Sequence, residues 1–125
     1  MYMLPILAIG IGGFFGAISR FLVSRWMFLM LGPSFPYGTL TVNAIGSFLL
    51  GFLSLYFSKN FAIGELPVIG ILVGFLGAFT TFSTFSYESI LFFQEGNLLK
   101  AGINILGNCL ICLTLCFAGV YLAKS

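Results

Sequence analysis

The chain has 125 residues, of which 60% are hydrophobic and 6% charged, and its formal net charge is +2. Soluble domains are typically about 25% charged, so these few charged side chains cannot cover a water-facing surface. A soluble enzyme, a disordered regulator and a nucleic-acid binder are excluded, and a multi-pass membrane protein is the class that remains.

The titratable residues also argue against catalysis. The chain has no His and no Asp, and its three carboxylates, Glu65, Glu88 and Glu95, are spread along the sequence. A Ser-His-Asp triad and a histidine metal site cannot be built from this set. We therefore predict that the chain is not an enzyme.

The first apolar segment, residues 4–31, predicts a membrane-spanning helix. Gly12 and Gly16 form a GxxxG pair, which indicates close packing against a neighbouring helix. Arg20 lies far inside the segment, where an unpaired charge in lipid is costly. We expect Arg20 either to reach water or an anion or to extend to the membrane interface. The Gly- and Pro-rich stretch 32–36 predicts a turn.

The second segment, residues 40–57, is about the minimum length that crosses a bilayer of about 30 Å. Thr39, Asn43 and Ser47 recur every four residues and therefore share one helix face. The Asn43 amide offers two N–H donors and one carbonyl. It predicts either an interhelical hydrogen bond worth about 0.6 kcal/mol or a contact inside a pore.

The third segment, residues 68–93, has five hydroxyl side chains between Thr80 and Ser86. Gly77 and the two adjacent threonines favour a local break in the helix, which is tolerated only where protein or a cavity covers the freed carbonyls. Freed carbonyls near the middle of a membrane are good cation ligands. Alternatively, the hydroxyls bond to carbonyls one turn earlier and merely bend the helix.

Phe82 and Phe85 in this third segment lie three residues apart, on one helix face with Ser89. An aromatic ring is negative on its face and positive along its edge, so a ring presented edge-on stabilises a small anion without a formal charge. Alternatively, the two rings form a stripe that faces lipid or packs against another helix. The chain has sixteen phenylalanines, so such a stripe is expected from composition alone.

The fourth segment, residues 98–123, repeats the polar pattern with Asn104, Asn108 and Cys112. Cys109, Cys112 and Cys116 are too close along one helix for ordinary disulfide pairing. They predict small packing residues or a weakly polar face, and a metal site would lack a fourth ligand. Hydrogen-bond donors predominate on these segments and an acidic relay is missing, which favours an anion or a neutral solute.

Topology follows from the positions of the basic residues. Four spans place Lys59 and Lys124 on one side of the membrane and Arg25 and Lys100 on the other, joined by Arg20 if it reaches that side. The positive-inside rule needs a clear excess, and none exists. The near-balance permits insertion both ways up, and hence an antiparallel dimer of identical chains.

Three motifs carry a resemblance to a known family. They are GTLTVN at 38–43 followed by Gly46 and Gly51; GFLG at 74–77 with TTFSTFS at 80–86 and Glu88; and Gly16-Ala17 followed by Arg20. The whole chain resembles the Fluc (CrcB) family of fluoride channels in length, number of spans and motif order.

The resemblance implies an all-α integral membrane protein whose third helix is broken near mid-membrane. Residues 1–125 would form a single four-helix channel domain, working as an antiparallel, dual-topology homodimer in the cell membrane. It would export fluoride passively through two pores, in contact with membrane lipid and without any nucleic-acid partner. A structural Na⁺ ion that is not transported would lie at the dimer axis.

The resemblance also implies roles for individual residues. Ring edges of Phe82 and Phe85 would meet the ion, and the backbone carbonyls of Gly77 and Thr80 would hold the Na⁺ ion. The residues on the fluoride path would be Asn43, Phe82, Phe85, Ser83, Thr84, Thr39, Asn108, Arg20 and Glu88. The fourth segment departs from the expected pattern of Tyr and Ser hydroxyls, because Asn104 and Asn108 stand there instead.

Two other functions remain open from the residues alone. A small drug exporter coupled to protons would need a carboxylate inside a span, and Glu88 is the sole candidate. A structural membrane subunit would carry no transport of its own. In that case substitution of Phe82 or Asn43 would leave ion flux unchanged.

Overall fold

The computed structural model describes residues 1–125, and all of its regular structure is helical. The helices are α1 (Met3–Leu31), α2 (Tyr37–Lys59), α3 (residues 65–79), α4 (Phe82–Gln94) and α5 (Leu98–Lys124). A short 3₁₀ turn, Phe61–Ile63, connects α2 to α3. Together α3 and α4 form the third of four helical spans that are long and apolar enough to cross a membrane. The prediction of an all-helical protein with four long apolar helices is confirmed.

Helix α1 packs against α3 with the two backbones in direct contact. A Cβ atom added to Gly12 would overlap the carbonyl oxygen of Gly70, and one added to Gly16 would overlap that of Phe75. From the other side, a Cβ on Gly74 would lie 2.6 Å from the carbonyl oxygen of Ile9. The close packing predicted from the GxxxG pair is therefore present. Between Gly70 and Phe75 the backbone of α3 is π-helical.

The contact between α1 and α3 makes Gly16 sensitive to substitution. Gly16→Ala is expected to lower the free energy of unfolding by about 1–3 kcal/mol, because the added methyl group meets backbone that cannot move aside. Gly10→Ala is the matched control, since nothing lies within 4 Å of a Cβ at Gly10. Thermal unfolding of both purified variants in the same detergent measures the difference. Equal unfolding temperatures would contradict the backbone contact.

Helices α2 and α5 form the second extensively packed pair of helices in the chain. Glycines again allow the approach: a Cβ on Gly51 would overlap the Cys116 carbonyl oxygen, and one on Gly119 would overlap that of Phe48. Because α1–α3 and α2–α5 are the two close pairs, α4 is left beside α5, at the open side of α2.

Two lysines donate hydrogen bonds to backbone carbonyls at opposite ends of the helix bundle. Lys59 Nζ donates to the Ala123 carbonyl oxygen at 2.8 Å, next to the end of α5. At the other end, Lys100 Nζ donates to the Ser34 carbonyl oxygen at 2.8 Å and lies 5.9 Å from the centroid of the Phe92 ring. Each end of the bundle therefore holds one basic side chain against a loop or a helix terminus.

Candidate ion-pathway site

The third span leaves helical geometry at two residues between α3 and α4. Thr80 has φ −88° and ψ 158°, and Thr81 has φ −151° and ψ 117°, so both are extended. The Thr81 hydroxyl oxygen accepts from the Thr84 backbone N–H at 3.2 Å and caps the start of α4. The Thr80 hydroxyl donates to the Leu76 carbonyl at 3.0 Å and closes the end of α3. Both helix ends therefore receive a local hydrogen bond from a threonine side chain.

The side chain of Asn43 on α2 binds the extended residue Thr81 through both of its backbone groups. The Thr81 N–H donates to Asn43 Oδ1 at 2.7 Å, and Asn43 Nδ2 donates to the Thr81 carbonyl oxygen at 3.0 Å. In a continuous helix the same N–H would bond to the Gly77 carbonyl, four residues earlier. The Asn43 side chain of α2 therefore satisfies the backbone N–H and carbonyl of Thr81 at the break. The Gly77 carbonyl is left without its helical donor.

A row of buried amides continues from Asn43. Asn43 Nδ2 donates to Asn108 Oδ1 at 3.1 Å, Asn108 Nδ2 donates to Asn104 Oδ1 at 3.1 Å, and Asn104 Nδ2 donates to Ser89 Oγ at 2.9 Å. The Ser89 hydroxyl donates to the Phe85 carbonyl oxygen at 2.9 Å. We call Asn43, Asn108, Asn104 and Ser89 the amide chain. Its hydrogen bonds all run in one direction, from the break to α4.

Phe82 and Phe85 lie in different environments although their spacing predicts one face. Their ring centroids are 5.4 Å apart and their planes are inclined by 59°. The Phe82 side chain is 78% exposed, whereas Phe85 is 7% exposed and packs inside the chain. Phe82 is thus open to the outside of the chain, and Phe85 is a packed residue next to it.

These groups surround a cavity of about 420 Å³ between α2, the break and α5. Six of the residues predicted for the ion path or the Na⁺ site line it, namely Asn43, Gly77, Thr80, Phe82, Phe85 and Asn108. Ser47, Cys109 and Cys112 also lie on its wall. The structure therefore brings polar groups of three spans to one opening beside the break.

The other predicted path residues lie outside this cavity. Thr39 Oγ1 donates to Glu88 Oε2 at 2.9 Å, while Glu88 Oε1 is buried without a hydrogen-bond partner. Arg20 is half-buried in α1. Ser83 and Thr84 are exposed, and the Thr81 hydroxyl donates to Thr84 Oγ1 at 3.1 Å.

The hydroxyl side chains of residues 80–89 form two kinds of hydrogen bond. Thr80, Ser86 and Ser89 bond to carbonyls four residues earlier, as ordinary helical hydroxyls do. Thr81 instead caps α4 from an extended conformation. The sequence alone did not distinguish Thr81 from its neighbours.

Comparison with known proteins adds an independent observation. The family model described as CrcB-like protein, Camphor Resistance (CrcB), matches residues 7–120. The chain belongs to the CrcB family. The family predicted from the three sequence motifs is therefore confirmed.

Curated relatives of this CrcB chain carry the name fluoride-specific ion channel FluC. The protein from Nitratiruptor sp. is 50% identical over 96% of this chain and 92% of its own length. The one from Geobacter metallireducens is 40% identical over 98% of both chains. The one from Methylococcus capsulatus is 48% identical over 97% of this chain, which spans about half (53%) of that relative.

Membership of the CrcB family has two direct consequences. The family is one of ion channels and not of enzymes, so the prediction that the chain is not an enzyme is confirmed. With four membrane-spanning helices, the chain is a multi-pass protein of the cell membrane, as predicted.

In this CrcB chain two contacts of the candidate site were not predicted from the sequence. Ser89 was noted only for sharing a face with Phe82 and Phe85, and the Thr81 backbone was not expected to bind Asn43. The available signal was the pair of asparagines four residues apart in α5, since two buried amides require polar partners on a neighbouring helix.

Proposed function

We propose that this protein is a fluoride-selective passive ion channel that exports cytoplasmic fluoride down its electrochemical gradient. The observation that carries the proposal is the cavity at the break, where the Asn43 amide and the rings of Phe82 and Phe85 meet. The relatives named fluoride-specific ion channel FluC support the choice of ion. Lower intracellular fluoride would reduce its toxicity.

The chemistry of the cavity suits a small anion. Its wall includes the amides of Asn43 and Asn108 and the rings of Phe82 and Phe85, whose N–H groups and ring edges carry partial positive charge, and it contains no charged side chain. Fluoride enters cells as neutral HF, which dissociates at cytoplasmic pH and leaves the anion trapped inside. A passive path then lets a membrane potential that is negative inside drive the anion out. A narrow path with donors spaced for a small ion excludes chloride.

The channel works as an antiparallel homodimer of one four-helix domain, with two pores lined by both copies. Support comes from groups that one copy leaves open at mid-span: Phe82 is 78% exposed, and nothing lies within 4 Å of a Cβ added to Gly77. An exposed glycine inside a span suits the close approach of another backbone. The even distribution of Lys and Arg allows insertion both ways up.

A structural Na⁺ ion that is not transported lies between the two copies, held by the backbone carbonyls of Gly77 and Thr80 from each. The residues fit this ion, because the Thr81 N–H bonds to Asn43 and leaves the Gly77 carbonyl without its helical donor. Carbonyl oxygens are suitable ligands for a hard cation, and no cluster of three or more His, Cys, Asp or Glu side chains offers another metal site.

The remaining path residues lie nearer the ends of each pore. Arg20 makes one vestibule electropositive and attracts the anion. Thr39 and Glu88, which are joined by a hydrogen bond, lie at a pore mouth. Exposed Ser83 and Thr84 hydroxyls contribute donors beside Phe82, toward the partner copy.

Reconstitution in liposomes tests the proposed function. Liposomes loaded with fluoride are expected to release it when a K⁺ ionophore allows charge to balance, whereas chloride-loaded liposomes release their anion at least about a hundredfold more slowly. Ion-selective electrodes measure both, and liposomes without protein give the background leak.

The outcomes separate the competing functions. Absence of fluoride release, or equal release of chloride, would overturn the proposal. Fluoride release that requires a proton gradient and is lost in Glu88→Gln would favour a proton-coupled transporter. Liposomes prepared with N-methylglucamine in place of Na⁺ test the structural ion, and their fluoride release is expected to be lower.

A further inference from the structure

The packing of α4 raises the question of what fixes its position. The extended residues Thr80 and Thr81 separate α4 from α3, so helix continuity does not orient Phe82 and Phe85. Helix α4 packs far more extensively on α5 than on α2. Packing on α5 therefore contributes to the position of Phe85 relative to Asn43, beside the hydrogen bonds from Asn43 to Thr81, which caps the start of α4.

The amide chain is the polar connection that passes through α5 between these two groups. Asn108 on α5 receives an N–H from Asn43, and Asn104, one turn away, donates to Ser89 on α4. Ser89 in turn bonds to the carbonyl of Phe85. Asn104 is fully buried, and Asn108 and Ser89 are nearly so. An uninterrupted row of hydrogen bonds therefore links one path residue to the backbone of another.

Burial of two amides in a membrane helix needs a reason, because apolar residues would fill the same space at lower cost. Asn104 does not line the cavity, whereas Asn108 does. The hydrogen bonds of the Asn104 side chain go only to other members of the amide chain: it accepts from Asn108 and donates to Ser89. Direct contact of Asn104 with a permeating ion is therefore not what the structure offers.

We propose that Asn104 is a positioning residue: through Asn108 and Ser89 it fixes the distance between the Asn43 amide and the Phe85 ring, and so the size of ion that the cavity accepts. This inference rests on the proposed function. Both N–H groups of Asn43 are committed, one to Thr81 and one to Asn108. Loss of the Asn104 side chain removes the Oδ1 acceptor of Asn108, whose Nδ2 then keeps only the Asn104 backbone carbonyl, and it removes a partner of Ser89. The connection between Asn43 and α4 that runs through α5 is then lost.

Measurement of fluoride and chloride release from the same liposomes tests this role. Asn104→Leu and Ser89→Ala are each expected to reduce the fluoride-to-chloride release ratio by about tenfold, the factor that one hydrogen bond of this kind supports. The double variant is expected to resemble the more severe single variant, because both substitutions interrupt one chain. Ser58→Ala is the matched control, since its hydroxyl bonds locally at the exposed end of α2.

The outcomes distinguish failure of the positioning role of Asn104 from failure of the proposed function. If the wild-type protein releases fluoride selectively and both single variants keep the wild-type ratio, or lose total flux without a change in ratio, the positioning role is overturned while the proposed function stands. If the wild-type protein releases no fluoride, the proposed function fails and this inference fails with it. Should Asn104→Leu not fold, Ser89→Ala carries the test, because it removes a single oxygen atom.

Discussion

Phe82→Ile is expected to reduce fluoride release from liposomes by about 30-fold or more. The substitution removes from the cavity wall a ring whose edge carries partial positive charge, and a 30-fold loss corresponds to about 2 kcal/mol. Because the Phe82 side chain is 78% exposed in the folded chain, its replacement leaves no void inside the chain. Release is measured with a fluoride electrode, and folding by gel filtration in detergent.

Phe93→Ile is the matched control for this substitution. Phe93 lies on the same helix, is partly exposed, and does not line the cavity. It undergoes the same chemical change, so its fluoride release is expected to equal that of the wild type. Unchanged release in Phe82→Ile would contradict the role of the ring and would favour a structural membrane subunit.

Asn43→Asp is expected to abolish fluoride release and to destabilise the protein. A carboxylate keeps an acceptor for the Thr81 N–H but loses both donors, so its oxygens face the Thr81 carbonyl and Asn108 Oδ1. The new carboxylate and a fluoride ion about 4 Å away would repel each other by about 4 kcal/mol at an effective dielectric constant of about 20. Fluoride release is therefore expected to fall by about a hundredfold or more. An unsatisfied carbonyl costs a further 1–3 kcal/mol or so of stability.

The same substitution at Asn60 is the control. Asn60 lies just beyond the end of α2, is exposed, and donates to the Tyr56 carbonyl at 2.7 Å. Asn60→Asp therefore changes the net charge equally and far from the cavity. Release at the wild-type rate in Asn43→Asp, measured beside Asn60→Asp, would exclude Asn43 from the path.

The helices could be predicted because the hydrophobicity of each segment is enough to make it a membrane helix. A run of about 20 apolar residues can satisfy its backbone in lipid only as a helix. The observed helices begin and end within three residues of the predicted spans. Close packing at Gly12 and Gly16 was equally predictable, because only glycine lets two helix backbones touch.

The residues at the site were predictable as a set but not as contacts. Polar side chains inside a membrane are costly, so Asn43, Asn108 and the hydroxyls near Thr80 were recognisable as candidates from composition and spacing alone. Their motifs also identified the family. Which atom bonds to which partner depends on helices distant in sequence, and no periodicity in one segment encodes that choice.

The amino-acid sequence by itself thus determined the membrane class, the four spans, the lack of catalytic groups and the family. Tertiary structure alone decided that Asn43 holds the Thr81 backbone, that Phe85 is buried while Phe82 is open, and that Asn104 reaches Ser89. The physical reason is that hydrophobic patterning acts within one helix, whereas hydrogen-bond satisfaction is settled between helices. A chain with few charges places its polar groups where several spans meet, and only the packing specifies their order.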